Sequence, residues 1–294
     1  MVGEQGSRGR AAAQLTTGSL TTGSVTMGVR AAYDAAADDW VHGPEQMYGP
    51  LASALVDAAA AAERLRDAAA AAGSLAGCIV LDLGAGTGVA GRAALVAGAR
   101  RVVSADLAAG MLRHCGPALH PVAADATALP FRVGSFDVVL AAFSLSHLPS
   151  IAAGLAEIRR VGRFAAASSF ARGWTHPAKT AVDEALRTFG YLPPAWYAAL
   201  KDENEPQSAD QGLMAGLAAA AGFTDVRFRT VAVPTGLRTA AQLAAWRLGM
   251  AHVAPFVRAL DPDRRAGLRT AAERAVADAG CGPVTVPILV LTAR

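Results

Sequence analysis

Asp82 stands two residues ahead of a glycine cluster in the run Val80-Leu81-Asp82-Leu83-Gly84-Ala85-Gly86-Thr87-Gly88. The apolar residues read as a buried strand that ends in an acid, and the glycines as a turn into a helix beginning near Val89. Glycines let backbone N–H groups approach a ligand closely, and a helix N-terminus favours negative charge. The carboxylate of Asp82 adds an acceptor beside those donors. Such a site suits a ligand that carries both a carboxylate and an ammonium or sulfonium. S-adenosylmethionine has all three groups, whereas a nucleotide pyrophosphate has only the anionic part. The overlapping spacing Gly86-x-Gly88-x-x-Gly91 also satisfies the dinucleotide fingerprint, so a nicotinamide-dependent oxidoreductase is the alternative. A protein that binds S-adenosylmethionine without transferring its methyl group is a third reading.

Two further acids follow at the ends of expected strands. Asp106 closes the second and can accept hydrogen bonds from ribose hydroxyls. Asp125 follows the third, and its carboxylate can accept from an adenine amine while apolar neighbours cover the ring. Asp137 opens the fourth strand, at the opposite edge of the sheet, and reads as structural. Displacement at a sulfonium needs little activation, so the protein must position the acceptor, exclude water and remove a proton from a hydroxyl or carbon acid. Histidine suits the last task near neutral pH. Of His42, His147, His176 and His252, the catalytic candidates are His147 and His176; His114 and His120 read as surface residues.

These residues need a scaffold, and the chain supplies alternating strand and helix signals from residue 78 onward. Strands are expected at 78–83, 101–105, 121–124, 136–143, 163–170, 225–233 and 284–291. Helices are expected at 31–40, 48–72, 89–97, 108–114 and 151–161, with further helical segments within 175–222 and 239–279. The fold class is α/β, a Rossmann-like seven-stranded, mostly parallel sheet with an antiparallel last strand added at an edge. Residues 1–27, rich in Gly, Ser and Thr, are expected to be a disordered tail, with Met27 an alternative start. The domain then spans 28–294: a helical cap at 28–76, a cofactor-binding core at 77–172, and helical lid insertions at 173–222 and 238–280. Trp174, Tyr191, Trp196, Tyr197, Trp246 and Met250, on the insertions, are the candidate lining of an apolar or aromatic acceptor pocket.

Composition narrows the partners. Hydrophobic residues make up 53% of the 294, but alanine supplies much of that, and charges interrupt every long apolar run before it could cross a bilayer. Net charge is +3, and its carriers are scattered arginines, with Lys179 and Lys201 the only lysines. That pattern argues against a nucleic-acid surface. Cys78, Cys115 and Cys281 are odd in number and widely spaced, so neither a disulfide framework nor a metal site is expected, and a reducing, cytoplasmic setting is.

Residues 80–88, Asp106, Ala124-Asp125-Ala126-x-x-Leu129-Pro130-Phe131 and Ser135-Phe136-Asp137-Val138-Val139 occur in order at near-standard spacing. Together they resemble the class I S-adenosylmethionine-dependent methyltransferases, particularly the small-molecule branch that includes quinone C-methylating enzymes. The resemblance is dense over residues 78–170 and looser toward Gly222-Phe223-Thr224-Asp225-Val226. It implies that Asp82, Gly84, Ala85, Gly86 and Gly88 hold the methionine half of the cofactor. Asp106, with Leu107 and Met111 beside it, takes the ribose side, and Asp125 and Ala126 the adenine. Ala142 and Phe143 match the loop after strand four, and Tyr33, in Ala32-Tyr33-Asp34, matches an N-terminal Tyr-Asp that closes over the cofactor. The Asp/Asn-Pro-Pro-aromatic group of enzymes that methylate base amines is missing from residues 142–149. The function expected is methyl transfer to a small-molecule acceptor, with O-methylation favoured over C-methylation and S-adenosylhomocysteine as product.

Overall fold

The computed structural model describes residues 22–64 and 74–294. Two long helices come first, α1 (Thr22–His42) and α2 (Pro44–Arg64). The alternating core follows as β1 (Ile79–Leu83), α3 (Val89–Val96), β2 (Arg101–Asp106), α4 (Ala109–Leu112), β3 (Val122–Ala123), β4 (Phe136–Ala142), α5 (Ile151–Val161) and β5 (Gly162–Phe170). Helices α6 (Pro177–Thr188) and α7 (Ala195–Ala199), a π-helical segment Leu200–Asn204, α8 (Glu205–Ser208) and α9 (Gln211–Ala220) lead to β6 (Arg227–Pro234). The chain closes with α10 (Ala240–Leu248), α11 (Ala254–Ala259), α12 (Pro262–Asp278) and β7 (Thr285–Ala293).

The strands form one sheet in the order β3-β2-β1-β4-β5-β7-β6. Strands β1 to β5 pair in parallel, and β7 runs antiparallel to both β5 and β6. The last strand is therefore internal, and the edge expected for it belongs to β6. Burial explains the exchange. Strand β7 is buried over nearly its whole length, as befits its almost continuous apolar run, while β6 alternates exposed residues. The seat between two strands goes to the more apolar one.

Alternation along the strands divides two cores. Val80, Val138 and Leu140 face one side with Leu51, Leu55 and Ala59 of α2. Leu81, Val139 and Ala141 face the other with Leu155 and Ile158 of α5 and Met214 and Ala218 of α9. Helix α2 thus covers the sheet itself and is more than a cap over the site. The helix expected at 31–40 also begins earlier than its sequence signal, because α1 starts at Thr22. Docking explains it: Ala32, Ala36 and Ala37 of α1 are buried against the later helices and α4, which outweighs the weak helix propensity of Gly, Ser and Thr. The rest of the expected disordered tail, residues 1–21, lies outside the described residues, as do residues 65–73.

The chain runs from β1 to β2 and β3 on one side and from β4 to β5 on the other. Strand order therefore reverses between β1 and β4. A crevice forms outside the carboxyl ends of the strands at such a point, and it is where ligands bind in open α/β sheets.

Candidate active site

A cavity occupies that crevice. Its floor is the β1–α3 turn, lined by Asp82, Leu83, Gly84, Ala85, Gly86 and Thr87. Asp106, Leu107 and Met111 line one wall, Asp125 and Ala126 another, and Ala142, Phe143 and His147 a third. Helix α1 lies over the top with Val29 and Tyr33. Apart from Gly88, every cofactor position expected from the sequence borders this one space. Gly88 lies just beyond it as the N-cap of α3, at φ 87°, where an added Cβ would meet Leu119 Cδ1 at 2.5 Å. Its role is to turn the chain and let α3 pack.

The acids are held firmly. Asp82 is 1% exposed, and its Oδ2 accepts from Gly91 N at 2.8 Å. Its Oδ1 has no hydrogen-bond partner among the described residues. Burial, reinforced by the nearby Asp106, raises the Asp82 carboxyl to about 7 despite the Gly91 bond. Asp106 accepts from Gly86 N at 2.7 Å and from Ala108 N at 2.8 Å, so it braces the glycine turn as well as lining the cavity. Burial raises it too, and the two N–H bonds oppose the shift. Asp125 Oδ1 accepts from both Thr127 N (2.8 Å) and Thr127 Oγ1 (2.7 Å), and Oδ2 makes no bond among the described residues.

Gly86, at φ 55°, has open space where a side chain would project, so its backbone is bare to the cavity. Thr87 Oγ1 and Ser144 Oγ, on lining residues, are also buried without partners. An unpaired carboxylate oxygen and two unpaired hydroxyls around the open glycine turn fit the amine and the hydrogen-bonding oxygens of the cofactor expected from the sequence. The residues present fit that group.

His147 and His176 have different fates. His147 is half-buried in the loop after β4, where Phe143 adopts a positive φ of 55°, a conformation that costs ~1 kcal/mol or more and concentrates at functional sites. Its Nδ1–H donates to the Phe143 carbonyl at 3.1 Å. That fixes the tautomer, because a carbonyl only accepts, and leaves Nε2 to accept the Tyr33 hydroxyl at 2.9 Å. Burial lowers the His147 pKa and raises that of Tyr33 strongly. The pair is neutral and ties α1 to the β4 loop. His176 caps α6, its Nδ1 accepting from Ala178 N at 3.2 Å, and it borders neither cavity described here. His42 bonds back to Asp38 within α1, also away from them.

A second cavity adjoins the first, and Tyr33, Tyr48, Phe143 and His147 line both. Helices of both insertions enclose it, together with Phe170 at the end of β5 and Trp174 beyond it. Of the six residues expected to line an acceptor pocket, Trp174, Tyr197, Trp246 and Met250 line this second cavity. Tyr191 instead donates its hydroxyl to the His252 carbonyl at 3.0 Å, and Trp196 packs against α1. Sequence reasoning missed Tyr48 and the polar side chains of this chamber: Lys179, Lys201, Glu205 and Arg247. The available signal was the placement of both lysines in the lid segments of an otherwise arginine-only chain. His252 also lines the chamber, stacked on Tyr197 with ring centroids 3.6 Å apart. Burial and the neighbouring cations hold its pKa well below the usual imidazole range. Among the described residues no group of His, Cys, Asp or Glu is placed to hold a metal ion.

Residues 81–164 match the family described as Methyltransferase domain. The demethylmenaquinone methyltransferase of Beutenbergia cavernae is 46% identical over 87 residues, 29% of this chain and 36% of that protein. The enzyme of the same name from Renibacterium salmoninarum is 32% identical over 172 residues, 54% of this chain and 72% of that protein. The chain spans little more than a third of the length of the first of these relatives. Among solved structures, the 1,6-didemethyltoxoflavin-N1-methyltransferase of Burkholderia thailandensis shares the fold at a TM-score of 0.50 and 18% identity, covering 97% of both chains.

Proposed function

Because the chain belongs to the class I S-adenosylmethionine-dependent methyltransferases, we propose that it methylates an oxygen of a small-molecule acceptor held in the lid chamber. The carrying observation is the junction of the two cavities at Tyr33, Tyr48, Phe143 and His147. Asp82 would accept the amine of the cofactor, the unpaired Thr87 hydroxyl at the glycine turn would donate to its carboxylate, Asp106 would accept from the ribose hydroxyls, and Asp125 with Ala126 would hold the adenine. The bound cofactor supplies a methyl group already activated by the sulfonium.

The chain's own residues do the rest. Aromatic walls exclude water from the junction and orient the acceptor. Tyr33 and His147 stand where an acceptor hydroxyl would meet both cavities, and they can move its proton as a relay. The Tyr33 oxygen takes the acceptor proton as Tyr33 passes its own along their hydrogen bond to His147 Nε2. Oxygen is favoured over carbon because this relay suits a hydroxyl proton.

Calorimetry separates this reading from its rivals. S-adenosylhomocysteine should bind and NADH should not; the reverse would restore the oxidoreductase. Incubation with S-adenosylmethionine and a panel of hydroxylated aromatics should release S-adenosylhomocysteine in step with a methyl ether. Tight cofactor binding with no release across the panel would favour a non-methylating role.

A further inference from the structure

The lid chamber holds more positive charge than its own carboxylates balance. Lys201 pairs with Glu205, and Arg247, 4% exposed, donates to Asp183 Oδ1 at 2.7 Å. Lys179 has no carboxylate within ion-pair distance among the described residues; its ammonium lies 5.1 Å from the centre of the Trp174 ring. Two further donors in the same wall are buried without an acceptor, Trp246 Nε1–H and Arg247 Nε–H. A chamber with surplus donors and one unpaired ammonium calls for a ligand that brings acceptors and negative charge. Its walls set the rest of the shape. Phe170 and Trp174 stack with centroids 5.1 Å apart and an interplanar angle of 13°, and Trp246 stands 6.3 Å from Trp174. Flat aromatic surfaces recognise a flat ring.

We propose that the methyl acceptor is an aromatic acid, a hydroxylated planar ring whose carboxylate docks on Lys179. The proposal rests on the methyl-transfer reading and names its substrate class. Burial, with Arg247 and Lys201 nearby, brings the Lys179 ammonium down to about 8, so a carboxylate partner would also secure its charge. Both lysines of the chain line this chamber. Lysine offers a compact point charge where the fork of an arginine would need more room.

The test uses the full chain saturated with S-adenosylhomocysteine and two probes of one shape, 3-hydroxy-2-naphthoate and its neutral amide, 3-hydroxy-2-naphthamide. Fluorescence titration should give the naphthoate at least about tenfold tighter binding than the amide. In Lys179→Gln and Lys179→Met that preference should vanish while amide affinity holds, and Lys179→Arg should restore part of it. Equal binding of the two probes by the unaltered protein, or no saturable binding of the naphthoate, would overturn the proposal without need of any variant. So would a preference that survives Lys179→Gln. Unchanged S-adenosylhomocysteine affinity in each variant reports intact folding. Failure of the methyl-transfer reading shows separately: the naphthoate binds with the expected selectivity, yet no S-adenosylhomocysteine forms from S-adenosylmethionine with any hydroxylated aromatic acid.

Discussion

The Asp82 carboxyl, raised to about 7 by burial, makes a prediction at the scale of one residue. A cofactor amine favours the ionised form, so binding should lower this pKa and expel a proton. At pH 7 about half a proton should leave per S-adenosylhomocysteine bound; at pH 5.5 close to one, and at pH 8.5 almost none. Titration calorimetry in buffers of different ionisation enthalpy measures this directly, and Asp82→Asn should abolish the release. The histidines divide in a similar way. Tyr33→Phe and His147→Ala should each lower turnover by about 100-fold, the usual scale of a lost general base, with cofactor affinity nearly unchanged. Because burial lowers the His147 pKa, the imidazole stays neutral on acidification past its ordinary titration range, so the acid limb of kcat should fall below that range. His176→Ala should leave turnover within about twofold and remove only a helix cap, ~1 kcal/mol at most. A large loss of turnover in His176→Ala would contradict this division.

At the scale of elements, the lid is clasped to α1 and α2 by a close approach of backbones. An added Cβ on Gly43 would lie 2.2 Å from the Ala245 carbonyl of α10. Arg258 of α11 reinforces the clasp, bonding Asp39 Oδ2 at 2.6 Å. Gly43→Ala should therefore push α10 away, costing about 1–3 kcal/mol by thermal denaturation. Because Trp246, Arg247 and Met250 at this end line the chamber, KM for the acceptor should rise more than that for the cofactor. The elements also show where sequence reasoning stops. Asp82, Asp106 and Asp125 were legible because each lies within two residues of the carboxyl end of a parallel strand, and the topology itself carries strand ends to the crevice. The internal position of β7 was not, since a strand's neighbours depend on which competitor is more apolar. The helix-capping place of His176 was not legible either, because a histidine before proline looks the same whether it caps a helix or faces a ligand.

At the scale of the whole molecule, one sheet presents a crevice at its strand ends and two helical insertions close a second chamber against it. Most of the crevice could be read from the chain because its floor and walls lie within residues 82–149, whereas of the α1 and α2 residues that cover it the sequence pointed to Tyr33 alone. The chamber could not, because Tyr48, Lys179, Glu205 and Arg247 are far apart in sequence and meet only through lid docking. No helix among the described residues is long and apolar enough to cross a membrane. Methyl transfer at the junction of the two spaces is the central proposal, and mass spectrometry tests it most directly. The full chain would be incubated with S-adenosylmethionine carrying a deuterated methyl group and with 3-hydroxy-2-naphthoate. The predicted result is a deuteromethyl group on the hydroxyl oxygen, formed in equal amount with S-adenosylhomocysteine. Recovery of both reactants unchanged, with both shown to be bound, would contradict it.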